Sequence, residues 1–258
     1  MKSHSITVLL FLFISNICPG QIHRGTAVFG YCFHDAIVIG VDSKFTEFDK
    51  KNQLTGFGYG CKIFRGNDSV YFAISGNAVP FIDGQNAIER DARQACKNGA
   101  NLSAIASLFK KQALNTLEPY AGTIQRQIAS GVRGDYVSVA FFGFENGVAS
   151  SYIVEFHDIN ILKNGDTSLI RGKEMKVGKY PMKIELGNTS EIDRFLSTHP
   201  AYLGHGRDSI NVEINTLLGL EILAHPDAVG GGISILCIYP HKYEWWQSGC
   251  ECKNFDSP

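Results

Sequence analysis

Two short apolar runs joined by a polar turn form the clearest pattern in the chain. The run 26–33 is rich in β-branched and aromatic residues, His34 and Asp35 supply the turn, and 36–41 is continuously apolar. Such runs are typical of strands, and a continuous apolar run is typical of a strand buried on both faces. The pattern therefore predicts a buried hairpin that ends on the carboxylate of Asp42.

The same kind of pattern predicts further elements along the chain. These are strands over 62–65, 70–75, 135–142, 149–156, 174–177, 181–185 and 232–239, and helices over 87–97, 101–118, 191–197 and 208–224. The polar, glycine-rich segment 43–60 predicts a surface loop. This mixed order predicts an α+β domain with helices packed outside two sheets.

The first twenty residues have the features of a signal peptide. Lys2 precedes the apolar run 6–14, and the small-residue pattern 18–20 precedes Gln21. We therefore expect a signal peptide over 1–20, a short propeptide remnant over 21–25, one domain over 26–258, and a secreted or periplasmic location. The apolar run is too short for a good transmembrane span, although an uncleaved signal anchor is the alternative.

Composition and charge exclude some partners. Hydrophobic residues make up 44% of the 258 positions, which is enough for one well-filled core, and the formal net charge is -1. Because Lys and Arg are spread along the sequence, no basic patch favours nucleic acid or an anionic membrane. The histidines show no metal-binding spacing, so we expect neither a metal nor another cofactor.

Six cysteines remain after removal of the signal peptide. In an exported chain they permit disulfides, but the sequence selects none of the pairings. Cys32, Cys96 and Cys237 lie in apolar strands and a helix, which also suits buried thiols. For Cys250 and Cys252, a disulfide, free thiols and metal binding all stay open.

The pair Gly25-Thr26 opens the first hairpin and carries candidate chemistry. A threonine freed at an amino terminus combines a nucleophile with a base, since its hydroxyl attacks and its own α-amino group accepts the proton. Taken alone, the pair equally suits a plain strand start.

Four segments in order resemble one protein family. They are G-T-A-V-F-G from residue 25, D-A-I-V-I-G-V-D-S-K-F-T from 35, C-K-I-F from 61 and F-A-I-S-G-N-A from 72. Together they resemble a proteasome β subunit, one of the N-terminal nucleophile (Ntn) hydrolases. Further on, H-P-D-A-V-G-G-G from 225 resembles the family's R-D-A-x-S-G-G. The resemblance implies the four-layer αββα sandwich of that group.

The resemblance implies catalytic roles for five residues, namely Thr26 as nucleophile, Asp42, Lys62, Gly76 as oxyanion donor through its N–H, and Asp227. Lys62 matches only after a short insertion within 51–60. A charged Lys62 beside the Thr26 amine would lower the pKa of that amine, while Asp42 would keep the lysine protonated. Each residue also has a structural alternative, such as a strand-end cap, a surface charge or a turn.

Four further residues are implied to bind substrate, namely Phe45, Thr46, Ile74 and Ala78. The apolar ones would border a pocket that favours a hydrophobic side chain before the cleaved bond. Gly230 stands where the family has a serine, and no segment matches the family's S-G-S-type sequence. We therefore expect weak activity, which Gly230→Ser would raise.

The resemblance implies a threonine-type amide hydrolase that acts on peptides in an exported compartment. One alternative is a non-catalytic member of the fold that serves in assembly or binding. Another is an enzyme that hydrolyses small-molecule amides. Self-association in rings and a monomer both stay open.

Overall fold

A computed structural model describes residues 26–48, 54–76, 81–82, 85–120, 136–161, 167–176, 182–199, 209–250, 252 and 255. The expected signal peptide and propeptide remnant, residues 1–25, lie outside this part. None of the described helices has the length and hydrophobicity needed to cross a membrane.

Ten strands form two five-stranded antiparallel sheets. Sheet I contains β1 (Ala27–Cys32), β2 (Ile37–Asp42), β12 (Met182–Gly187), β13 (Ile233–Tyr239) and β14 (Lys242–Gln247), in the order β12-β1-β2-β13-β14. Sheet II contains β5 (Ile63–Arg65), β6 (Val70–Gly76), β9 (Val137–Glu145), β10 (Val148–Ile161) and β11 (Thr167–Lys176), in the order β11-β10-β9-β6-β5.

Two small hairpins, four α-helices and a short 3-10 helix (Glu118–Tyr120) complete the described elements. The hairpins pair β3 (Lys44–Phe48) with β4 (Leu54–Tyr59), and β7 (Phe81–Ile82) with β8 (Gln85–Asn86). The helices are α1 (Ala87–Asn98), α2 (Leu102–Leu117), α3 (Ser190–Thr198) and α4 (Ile210–Ala224). The side chain of Asn101 caps α2 by accepting a hydrogen bond from Ala104 N.

Buried apolar side chains form three clusters. The first lies between sheet II and helices α1 and α2, and Phe72, Phe109 and Phe141 belong to it. The second joins the facing sides of the two sheets and contains Ile39 and Phe142. The third joins sheet I to α3 and α4. Both sheets are therefore buried on both faces, which explains the continuous apolar runs in the sequence.

The antiparallel sheets and separate helices agree with the predicted α+β class. The prediction of a loop over 43–60 was wrong, because β3 and β4 pair there in register from Lys44↔Tyr59 to Phe48↔Leu54. Their glycine content hid the alternation that marks a strand. The predicted last strand, β13, is followed by β14, whose half-buried residues lack a fully apolar run. Pairing with β10 also makes β11 longer than the predicted 174–177.

A disulfide ties the tail of the chain to the region between the sheets. Cys61 and Cys252 are bonded, and Phe255 is buried in the inter-sheet cluster. The interpretation of Cys32, Cys96 and Cys237 as buried thiols is confirmed. Burial raises the pKa of the Cys32 and Cys96 thiols to about 12. These two thiols are consequently poor nucleophiles.

We expect Phe109→Ala to lower the free energy of unfolding by about 3–5 kcal/mol. Phe109 is fully buried in the helix-side cluster of sheet II, with its ring 5.2 Å from the Phe141 ring between centroids. Urea denaturation measures the loss. Leu223→Ala, at a side chain that is 81% exposed on α4, is the control and should change stability by less than about 0.5 kcal/mol. Equal effects of the two substitutions would contradict the assigned core.

Candidate active site

The pairing of β1 with β2 brings Thr26 and Asp42 together. The strands are antiparallel, with Val28 opposite Val41, so the residue that precedes β1 lies beside the residue that ends β2. The backbone N–H of Ala27 donates to Asp42 Oδ1 at 2.9 Å. Thr26 itself is only 5% exposed. The predicted nucleophile therefore lies one peptide from a buried carboxylate.

The carboxylate of Asp42 is fully buried and accepts four hydrogen bonds. Oδ1 accepts from Ala27 N and from Lys62 Nζ, both at 2.9 Å. Oδ2 accepts from Lys44 N at 3.2 Å and from Gly230 N at 3.1 Å. Both oxygens are thus satisfied, as a buried charge requires. Asp42 thus links its own segment to those of Ala27, Lys62 and Gly230, which lie 15, 20 and 188 positions away in the sequence.

Lys62 reaches the same carboxylate from sheet II. It precedes β5, and its carbonyl accepts from Ile74 N of β6. Its ammonium group bonds Asp42 Oδ1 and the Lys44 carbonyl. Burial lowers the pKa of Lys62 from 10.5, and the opposing attraction of Asp42 does not outweigh this effect. The expectation that Asp42 holds Lys62 protonated thus captures only the weaker of two influences.

Gly76 ends β6 close to Thr26. The hydroxyl of the preceding residue, Ser75, donates to the Thr26 carbonyl at 3.2 Å. Gly76 has a φ of 90°, and a Cβ there would come within 2.5 Å of the Tyr136 carbonyl oxygen. Only glycine fits this position without strain.

The end of strand β12, in sheet I, also holds the Thr26 carbonyl in place. Asn188 N donates to it at 3.0 Å, next to Gly187, which ends β12 opposite Ala27. Gly187 has a φ of 78°, and a Cβ there would collide with the Thr26 carbonyl. The backbone at Thr26 is therefore held by both sheets.

Gly230 contributes to the site through its backbone. Its N–H donates to Asp42 Oδ2, and its carbonyl accepts from Ser43 N and Lys44 N at 3.2 and 3.0 Å. A Cβ at Gly230 would lie 3.2 Å from Lys44 Cδ, the middle of a flexible side chain. Gly230, where the resemblance implies a serine, thus lies beside Asp42 but has no hydroxyl to offer.

The carboxylate of Asp227 is not brought into this group. Asp227 is exposed in the turn that follows α4, and no hydrogen bond joins its side chain to Thr26, Asp42 or Lys62 in the described part of the chain. Asp227 therefore lies in the environment that we would expect for a turn residue without a catalytic role.

The four expected substrate-binding residues have different placements. Phe45 is 42% exposed on β3, and Ile74 is buried in the cluster between sheet II and the helices α1 and α2. The backbone of Thr46 pairs with Phe57, while its side chain lies outside what is described. Ala78 lies outside the described residues altogether. Their role in a substrate pocket stays a prediction.

Two residues near Thr26 were not singled out from the sequence, Ser75 and Lys44. Lys44 is 8% exposed, and its ammonium bonds the Pro226 carbonyl and lies 3.9 Å from the centre of the Phe57 ring. Lys44 also lowers the pKa of Lys62 by repulsion, although burial lowers it more. Ser75 precedes the proposed oxyanion glycine, and Lys44 lies in a segment expected to be a loop. Both residues lie within segments that carry the family resemblance, and this position was the signal that could have identified them.

A cavity of about 210 Å³ lies away from this cluster. Its lining comes from the turn between β5 and β6 and from the β13–β14 hairpin, and includes Arg65, Tyr71, Tyr239 and Lys242. None of the five expected catalytic residues borders it.

Comparison with known proteins gives no match, either to a protein-family model or to a curated protein sequence. The assignment of function therefore depends on the site's own geometry and on the resemblance of its segments.

We expect Asp42→Asn to lower the free energy of unfolding by about 3–5 kcal/mol, because Lys62 would lose its buried counter-charge. The amide NH₂ would also face backbone N–H groups that need an acceptor. Urea denaturation measures the change. Asp68→Asn, at a fully exposed side chain that pairs with Arg65, is the matched control and should be neutral. A neutral Asp42→Asn would refute the central role of this carboxylate.

The lowered pKa of Lys62 predicts a pH dependence of stability. Between the folded-state pKa and the ordinary value of 10.5, the unfolded chain binds more protons than the folded one, so stability rises with pH. Lys62→Met removes this group. Hence the stability of the parent relative to Lys62→Met should increase as the pH approaches 10.5, and should be constant below the folded-state pKa. Urea titrations at a series of pH values test this, and a difference that shrinks with rising pH would be inconsistent with it.

Proposed function

We propose that the chain is a threonine-type amide hydrolase with the four-layer αββα fold of Ntn hydrolases. The three apolar clusters support this fold, because each fills the space between two neighbouring layers. The layers in order are helices α1 and α2, sheet II, sheet I, and helices α3 and α4. Thr26 is the proposed nucleophile and precedes strand β1, which pairs with β12 and β2 inside sheet I.

The observation that carries the proposal is the convergence on Asp42. The peptide after Thr26, the Lys62 ammonium and the Gly230 N–H all bond one buried carboxylate. Four segments that resemble family motifs at distant positions thus meet at one point. A structural ion pair alone would require Asp42 and Lys62, but not a threonine or a tight glycine at the neighbouring strand ends.

The mechanism requires cleavage of the Gly25–Thr26 bond. Until then the Thr26 nitrogen belongs to a peptide and cannot act as a base. A freed α-amine has a pKa of about 7.7–8.0, so a useful fraction is neutral near pH 7. The Ala27 N–H and Lys62 share Asp42 Oδ1, so the lysine would lie close to this amine. Repulsion between two ammonium groups would favour the neutral, proton-accepting amine.

The chemical steps follow from these placements. The Thr26 hydroxyl attacks the substrate carbonyl and gives its proton to the Thr26 amine. The Gly76 N–H is the proposed donor to the oxyanion, a contribution of roughly 3–4 kcal/mol where such donors have been removed. The leaving amine takes the proton, and water then hydrolyses the ester. The bonds from Ser75 and Asn188 to the Thr26 carbonyl would keep the nucleophile fixed throughout.

Exposed aromatic side chains near the site favour an apolar peptide as substrate. Phe45, Phe57 and Tyr59 are 42%, 44% and 63% exposed on the β3–β4 hairpin. Phe57 lies against Lys44, which bonds the same carboxylate through its backbone N–H. An extended peptide beside this hairpin would bury aromatic surface next to Thr26.

A non-catalytic member of the same fold is the second candidate. The exposed Asp227 and the missing hydroxyl at Gly230 favour it, since both positions would otherwise orient groups around the threonine amine. Such a protein would keep the Asp42 network for stability alone.

The test compares the secreted parent with Thr26→Ala and Thr26→Ser on fluorogenic peptides with a hydrophobic residue before the cleaved bond. We expect hydrolysis by the parent, a loss of at least about 100-fold in Thr26→Ala, and partial retention in Thr26→Ser, which keeps a hydroxyl. Mass spectrometry should find Thr26 at the amino terminus. Equal rates for the parent and Thr26→Ala, or a terminus fixed upstream of Thr26, would reject the enzyme and favour the non-catalytic candidate.

A further inference from the structure

Three sulfur atoms lie together beside the Lys62 segment. Cys61 and Cys252 form a disulfide, and the Sγ atom of Cys250 lies 4.0 Å from the Sγ atom of Cys252. All three sulfurs lie within 4.8 Å of one another. A free thiol beside a disulfide is the pair of groups that thiol–disulfide exchange requires.

These sulfurs differ from the other cysteines in exposure. Cys61, Cys250 and Cys252 are each partly exposed, whereas Cys32, Cys96 and Cys237 are buried. Exchange needs a thiolate and access to the disulfide, and burial in apolar surroundings denies both. Cys250 is thus the described free cysteine that can attack.

Hydrogen bonds hold the segment of Cys250 against Ser234 of β13. Gly249 N donates to Ser234 Oγ at 3.1 Å, and Ser248 Oγ donates to the Cys250 carbonyl. Cys250 Sγ itself lies 3.5 Å from Ser234 Oγ. The three sulfurs lie within 4.8 Å of one another, so the Cys250 sulfur would have to move by less than about 3 Å to reach bonding distance of Cys61.

We propose that Cys250 and the Cys61–Cys252 bond form a thiol–disulfide exchange site with two pairings of Cys61. The Cys250 thiol gives its proton to solvent, and the thiolate attacks Cys61 Sγ. A Cys61–Cys250 bond forms, the Cys61–Cys252 bond breaks, and the released Cys252 thiolate takes up a proton. The number of disulfides is unchanged, so no external oxidant or reductant is needed.

The exchange has a consequence for the neighbouring lysine. Cys61 directly precedes Lys62, and a charged Cys250 raises the pKa of Lys62 by attraction, against the larger lowering by burial. A Cys250 that is bonded to Cys61 can no longer contribute to the pKa of Lys62 in this way. The exchange also frees Cys252 from the link that holds the tail near the buried Phe255. The site therefore connects the state of the tail to Lys62, whether or not Thr26 is a nucleophile.

The first test maps the free thiol in the purified parent protein. The protein is incubated at about pH 8, because thiol–disulfide exchange is in general faster in base than in acid. It is then alkylated with N-ethylmaleimide in mildly acidic denaturant, which slows exchange. Fragment mass spectra locate the label. We expect label on both Cys250 and Cys252, and a larger share on Cys252 than in a sample kept at acidic pH. Label confined to Cys250 at both pH values would overturn the proposal.

Two variants provide an independent test. In Cys252→Ser we expect Cys250 to pair with Cys61, so that neither is alkylated in denaturant without reduction. In Cys250→Ser the Cys61–Cys252 bond should form and stay unchanged at about pH 8. Cys96→Ser, at a buried thiol, is the matched control and should exchange as the parent does. A free Cys61 in folded Cys252→Ser would overturn the proposal, and the parent map decides it if that variant does not fold. Neither measurement uses hydrolysis, so failure of the proposed enzyme activity leaves this test intact.

Discussion

The buried pair of Asp42 and Lys62 is the interaction on which the rest of the site depends. Asp42 ends a strand of sheet I and Lys62 precedes a strand of sheet II, so the ion pair crosses between the sheets. Removing either charge would leave the other buried without compensation. The two sheets must therefore keep their relative position for the site to exist.

This arrangement links stability to chemistry. Burial lowers the pKa of Lys62. Four hydrogen bonds hold the Asp42 carboxylate in one position. The backbone at Thr26 is held by donors from both sheets. For the proposed reaction such an arrangement would be preorganised, because these backbone and carboxylate groups are already held in place. The same contacts would serve a non-catalytic protein only as structural support.

The tail adds a second connection between distant parts of the chain. The Cys61–Cys252 bond spans 191 residues and attaches the segment after β14 next to Lys62. Closing so long a loop restricts the unfolded chain, which favours the folded state. The nearby thiol of Cys250 makes the same connection chemically exchangeable. The disulfide that stabilises the fold next to Lys62 is therefore also the bond that the proposed exchange would break.

The sequence by itself determined the elements whose signals are local. The β1–β2 hairpin, with Asp42 at its end, followed from apolar runs and a two-residue turn, and the helices followed from their spacing and caps. Only the tertiary structure decided the β3–β4 hairpin, the choice of Cys252 as the partner of Cys61, and the burial of Lys44. The β3–β4 pairing is local, but its glycines hide the alternation that marks a strand. The cysteine pairing depends on residues far apart in the chain, and the burial of Lys44 depends on tertiary packing, and periodicity carries no information about either.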